Sequence, residues 1–209
     1  MRTNTTSNAY RDCLKIKILD TSLPLFKKLG VKAVKMDDIA SILTISKRTL
    51  YEIYDNKEQL LFECIKREKE TFDAKIEEYA KTAENEMDVV AYSLKLHIKN
   101  YASTNSLFYA ELHKYKKIVN YLKERKAHNY AELCLFLDNG RKNGFFREDI
   151  NYEVLVCMQD AFINHVMETK LYRRFSLADI YRTFIIVNLR GCCTDKGLKY
   201  LEHFMNTDW

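Results

Sequence analysis

Lys47, Arg48, Thr49 and Tyr51 bring an ammonium, a guanidinium, a hydroxyl and a phenol into one short stretch of chain. These groups hydrogen-bond to base edges in a DNA major groove and pair with phosphate oxygens. Helical spacing decides which way they face. Leu50 and Ile53, at i and i+3, turn back toward a core and leave the four polar side chains on the outer and leading edges. Ser46 stands just ahead and can accept a hydrogen bond from the Thr49 N–H, which makes it the N-cap of a helix from Lys47 to Tyr54.

A preceding short helix must hold this one in place. Ile39, Ala40, Ile42 and Leu43 recur at helical spacing and form a face expected to be hidden, while Asp37 and Asp38 occupy the first turn, where carboxylates suit the positive end of the helix dipole. A connection of three or four residues makes two such helices cross steeply, the helix-turn-helix arrangement. Upstream, Ile18, Leu19, Ser22, Leu23, Phe26 and Leu29 mark an amphipathic helix stopped by Gly30. Downstream, Asp55-Asn56 cap a long helix that opens at Lys57 and runs through Leu60, Leu61, Cys64, Ile65, Phe72, Ile76 and Tyr79. Two short surface helices with a solvated charged face would carry the central pattern equally well; the flanking elements favour a DNA reader.

The ordered series Leu25-Phe26, Gly30, Met36 to Ala40, Ile45-Ser46, Thr49-Leu50-Tyr51, Tyr54, Asn56-Lys57-Glu58 and Leu60-Leu61 resembles the N-terminal domain of the TetR family of transcriptional regulators. The likeness covers about the first quarter of the chain. It implies DNA contacts from Lys47, Arg48, Thr49 and Tyr51, with Tyr54 close by, a phosphate contact from Lys57 and a backbone contact from Lys35. The role of Lys57 also follows from its place beside a helix N-terminus, where backbone N–H groups already suit an anion. Three departures stand out. Thr44 replaces the usual glycine, so the turn must use a residue less tolerant of a left-handed conformation. Ile53 stands where the family often has histidine or tyrosine, cannot bond to phosphate, and is left out of the site. Pro24 removes one hydrogen bond inside the first helix and is expected to bend it.

With 209 residues, 47% of them hydrophobic, one proline and five glycines, the chain can build a large helical core but lacks the turn residues of sandwiches and barrels. The expected fold is all-α: a three-helix head over residues 1–56, then a larger bundle over residues 57–209, which the resemblance implies serves ligand binding and dimerisation. Residues 1–57 contain 11 Lys and Arg against 6 Asp and Glu, whereas the rest of the chain holds 23 of each, so the whole net charge of +5 sits in the head. A polyanion should therefore meet that end, with an affinity that falls as salt rises. No apolar run reaches the roughly 18 to 20 residues that span a bilayer, and residues 1–12 lack an apolar signal core, so a cytoplasmic protein without membrane partners is expected. Cys13, Cys64, Cys134, Cys157, Cys192 and Cys193 and the five histidines have no metal-ligand spacing, and reduced thiols are the default. Adjacent Cys192 and Cys193 also admit a soft-metal or redox role. Neither a phosphate loop nor a nucleophile motif is present, so no cofactor, no metal and no catalytic residue is expected.

Further helices are predicted at about 87–103, 106–113, 115–140, 151–170, 177–190 and 195–206, with Asn139-Gly140 and Asn143-Gly144 as stops. Two stripes, Val154, Met158, Ala161, Phe162, His165 and Thr169, then Leu177, Ile180, Tyr181, Phe184, Val187 and Gly191, have the spacing of side-by-side packing, either within the chain or between copies. The resemblance implies the second, a four-helix homodimer interface. An aromatic-rich set that includes Tyr79, Tyr92, Tyr101, Phe108, Tyr109 and Phe136 either fills the core or lines a ligand cavity. Together these readings give a regulator, most often a repressor in this family, that binds a palindromic double-stranded DNA operator as a homodimer and is released by a small-molecule effector. The competing reading is a helical interaction protein whose basic head binds a protein or non-specific nucleic acid.

Overall fold

The computed structural model describes residues 3–207, all connected by helices and turns. The helices are α1 (Thr3–Leu29), α2 (Met36–Ile42), α3 (Lys47–Ile53), α4 (Lys57–Ala80), α5 (Glu86–Ala102), α6 (Ser106–Leu112), α7 (Lys116–His128), α8 (Tyr130–Lys142), α9 (Tyr152–Glu168), α10 (Leu177–Cys192) and α11 (Asp195–Thr207). Among the described residues the extended pairing is a single isolated bridge, Phe146 to Cys193. No helix there is long and apolar enough to cross a membrane.

The chain divides into two compact units. The first holds the chain through Asp73 together with Leu107–Leu122. Its core joins Ile18 and Phe26 of α1, Ile39 of α2, Leu50 of α3, Leu60 and Leu61 of α4, and Phe108 and Ile118 from α6 and α7, all fully buried. Helix α1 runs unbroken through Pro24 and ends at Gly30, whose φ of +86° is the left-handed stop that glycine provides at least cost. Burial follows the predicted face at Ile18, Ser22 and Phe26, but Leu29 is exposed at the helix end.

The second unit comprises Ala74–Ser106 and the chain from Lys123 onward. Asn85 caps α5 by accepting from the N–H groups of Met87 and Asp88, and Asn151 caps α9 in the same way from Glu153 and Val154. Rings pair within the unit: Phe162 stacks on Phe184 with centroids 3.8 Å apart, and Tyr79 stacks on Tyr92 at 4.1 Å. The Tyr181 ring tilts against Tyr101 at 4.7 Å.

Two expectations change here. The continuous helix predicted over 115–140 is interrupted at Asn129, giving α7 and α8; the Asn129 side chain makes no capping bond. Gly140, expected as a stop, lies inside α8 and is buried, because a Cβ there would stand 2.4 Å from the Phe146 ring that packs on it. The chain turns instead at Gly144, with φ +73°. Cys192 and Cys193 are both buried beside this corner, where the Arg147 N–H donates to the Cys192 carbonyl at 2.9 Å. Burial pushes the Cys193 thiol up to about 11, the condition of a protonated, unreactive sulfur.

Candidate nucleic-acid interface

The site is built on the α2–turn–α3 segment. Helix α2 ends at Leu43, and Thr44 takes the left-handed conformation with φ +53°, the strained alternative to glycine that the sequence required. The Ile45 N–H then donates to the Ala40 carbonyl at 3.0 Å, closing the turn over the end of α2. Ser46 caps α3 as expected: its Oγ accepts from the Thr49 N–H at 3.0 Å. Ile39, Ala40 and Leu50 anchor the pair in the core. Ile42, predicted to be hidden, is 57% exposed, because a seven-residue helix presents only part of its apolar arc to the core before the turn carries the chain away.

Lys47, Arg48, Tyr51 and Glu52 form the exposed edge of α3, and Tyr51 keeps 45% of its surface open to solvent. Neither cation is bare. Lys47 Nζ stands 2.5 Å from Asp37 Oδ2 of α2, and Arg48 Nε stands 2.8 Å from Glu52 Oε1 one turn along. Each carboxylate raises the pKa of its partner, mainly through the side-chain hydrogen bond, so both cations stay charged. Thr49 is half-buried, and its hydroxyl shares a 2.8 Å hydrogen bond with the Ser46 hydroxyl.

The other expected contact residues sit differently. Lys35 is exposed at the start of α2, with its N–H donating to the Asp38 carboxylate at 2.9 Å, half of a capping box. The Lys57 ammonium donates to the carbonyls of Val31 and Val34 at 2.9 and 3.0 Å, tying the first turn of α4 to the α1–α2 connection. Two of its three donors are thereby engaged. Tyr54, at the C-terminal end of α3, is only 5% exposed and belongs to the core; burial, chiefly, pushes its phenol up to about 12. It supports α3 from behind rather than from the reading edge. Sequence reasoning did not single out three participants. Glu52 was discoverable from its i, i+4 spacing to Arg48. Asp37 as the partner of Lys47, and Arg11 of α1, which donates to the Glu52 carbonyl at 2.9 Å, arise from tertiary packing.

Residues 18–64, the segment that contains this whole arrangement, match the sequence profile of bacterial regulatory proteins of the tetR family. Over 47 residues the chain is 40% identical to the biofilm operon icaADBC HTH-type negative transcriptional regulator IcaR of Staphylococcus epidermidis; the match spans 22% of this chain and about a quarter, 25%, of that protein. Among solved structures, a candidate transcriptional regulator from Saccharomonospora viridis in complex with choline superposes with a TM-score of 0.69 at 19% identity, over 88% of this chain and 99% of that one. A TetR-family transcriptional regulator from Agrobacterium tumefaciens gives 0.68 at 14% identity, over 88% and 100%. At such identities these two likenesses establish the shared all-helical fold, and the closer match lies in the segment that forms the α2–α3 turn. The likeness to the tetR family in sequence is thus confined to residues 18–64, the segment that builds the α2–turn–α3 arrangement.

Proposed function

We propose that the protein is a ligand-responsive transcriptional repressor that binds a palindromic double-stranded DNA operator as a homodimer in the cytoplasm and is released by a small-molecule effector. In this reading residues 1–56 form the reading head and residues 57–209 the sensing and dimerising body. The observation that carries it is the Ser46-capped α3, anchored by Leu50 and presenting Lys47, Arg48 and Tyr51 to solvent. A short amphipathic helix with such an edge fits the major groove, where Arg and Lys pair with guanine and phosphate. We assign DNA contacts to Lys47, Arg48, Thr49 and Tyr51, with phosphate contacts from Lys57 and Lys35. Tyr54 positions α3.

Exposed apolar residues on α9 and α10 support the paired state. Val154, Met158 and Val187 stand open to solvent where a monomer gains nothing from them. A two-fold dimer sets two recognition helices about 34 to 36 Å apart, or somewhat farther, to meet successive major grooves. The choline held by the Saccharomonospora regulator supports a small-molecule role for the body of this fold.

Selection of duplexes from a random pool by the purified protein at fixed ionic strength tests the reading. Enrichment of an inverted repeat is the expected result. Equal retention of all sequences, with binding that simply fades as salt rises, would instead identify a non-specific polyanion binder.

A further inference from the structure

In the second unit a cavity of about 440 Å³ opens between one side of α8, the 148–151 segment and the first turns of α9. That volume falls within the roughly 300 to 1,000 Å³ of small-molecule sites. The lining is chemically lopsided. Asp138, Glu148, Asp149 and Glu153 contribute four carboxylates against the single guanidinium of Arg141. Asp138 is paired with Arg141, and Asp149 with Arg147 at 2.6 Å. Among the described residues Glu148 and Glu153 have no such partner, although both face the cavity.

Two aromatic residues, Tyr130 and Tyr152, share the lining with the apolar side chains of Leu137, Ile150 and Val156. The Tyr152 ring already takes one cation: the Arg141 guanidinium carbon lies 5.9 Å from its centroid. Tyr152 is fixed by its hydroxyl, which donates to the Arg147 carbonyl at 2.9 Å. Residues 152, 153 and 156 also occupy the side of α9 opposite Val154, Met158 and Ala161, at about 100° per residue. The cavity and the exposed apolar stripe are therefore separate surfaces of one helix.

We propose that this cavity binds an organic cation with an apolar body, the charge met by Glu148 and Glu153, the Tyr130 ring beside it, and the apolar part against Leu137 and Val156. Carboxylates without partners and aromatic faces favour a weakly hydrated cation over a neutral or anionic molecule of equal size. The inference concerns binding alone and does not rest on the role of α3.

Calorimetric titration of the full-length protein tests it, with benzyltrimethylammonium as the probe and benzyl alcohol and benzenesulfonate as neutral and anionic counterparts. Binding of the ammonium probe alone at one site per chain is expected. The double variant Glu148→Gln/Glu153→Gln, two exposed positions, should weaken it at least tenfold with an unchanged circular dichroism spectrum. Tyr130→Phe should retain binding, whereas Tyr130→Leu should lose several-fold. Equal affinity for all three probes, no heat at millimolar ammonium, or ammonium binding indifferent to the glutamate variants would each overturn the proposal.

Discussion

In the proposed reading the two cations at the leading edge of α3 meet DNA already paired, Lys47 with Asp37 and Arg48 with Glu52, and every member of these pairs is about half or more open to water. Exposed pairs hold weakly and are screened by salt, so a phosphate or a guanine edge can take over the cation. The carboxylates left behind repel a duplex that offers nothing better, which sharpens discrimination. Glu52→Gln should accordingly tighten binding to random duplex several-fold at low salt while narrowing the margin in favour of the selected operator, as read by fluorescence anisotropy. Tyr51 makes the opposite test. It is exposed and is not one of the buried core residues, so Tyr51→Ala should weaken operator binding by about 1 to 3 kcal/mol, with a nearly unchanged Tm. A collapse of Tm would show that the ring faces inward and that the assignment of the reading edge is wrong.

Elements in this head are set by a few local devices, and these were the legible part. Ser46 as cap, Leu50 as anchor and Thr44 in a left-handed turn could all be read from residue type and spacing, because caps and turns depend on neighbours within four residues. Longer-range placement could not. A tyrosine at the end of α3 fits an outward hydroxyl or an inward ring, and only the packing of the first unit's core puts Tyr54 inside. Gly140 reads as a stop until Phe146 is seen lying on it. Likewise, Lys57 reads as a phosphate ligand, yet its ammonium also bridges to Val31 and Val34. Lys57→Ala should therefore act twice, lowering the salt slope of DNA binding by about one and destabilising the head by about 1 to 3 kcal/mol through the lost charged hydrogen bonds. Chemical denaturation separates the second effect from the first. Thr44→Gly should stabilise the head by roughly 1 kcal/mol, since glycine has no Cβ to resist the left-handed turn; a loss of stability would mean that the threonine side chain contributes more than its backbone strain costs.

At the scale of the whole molecule, the reading edge of one chain can hold only one half-site, and affinity for a palindrome depends on a second copy at fixed spacing. The surface we propose for that purpose lies on α9 and α10. On α9, Val154, Met158, Ala161 and His165 are exposed in a single stripe, while Phe162 turns away to stack on Phe184. On α10, Val187 and Gly191 are exposed beyond the same stack. The periodicity of these helices was plain in the sequence, but whether each stripe was core or surface was not, because side-by-side packing within a chain and between chains obeys the same spacing. Met158→Glu combined with Val187→Glu introduces charge into the proposed interface without touching the buried core of either unit. Sedimentation should shift from dimer to monomer, the helical spectrum should persist, and operator affinity should fall by far more than affinity for an isolated half-site. If the doubly charged variant still sediments as a dimer, the copies associate through another face, and the spacing of the two α3 helices must follow that face instead.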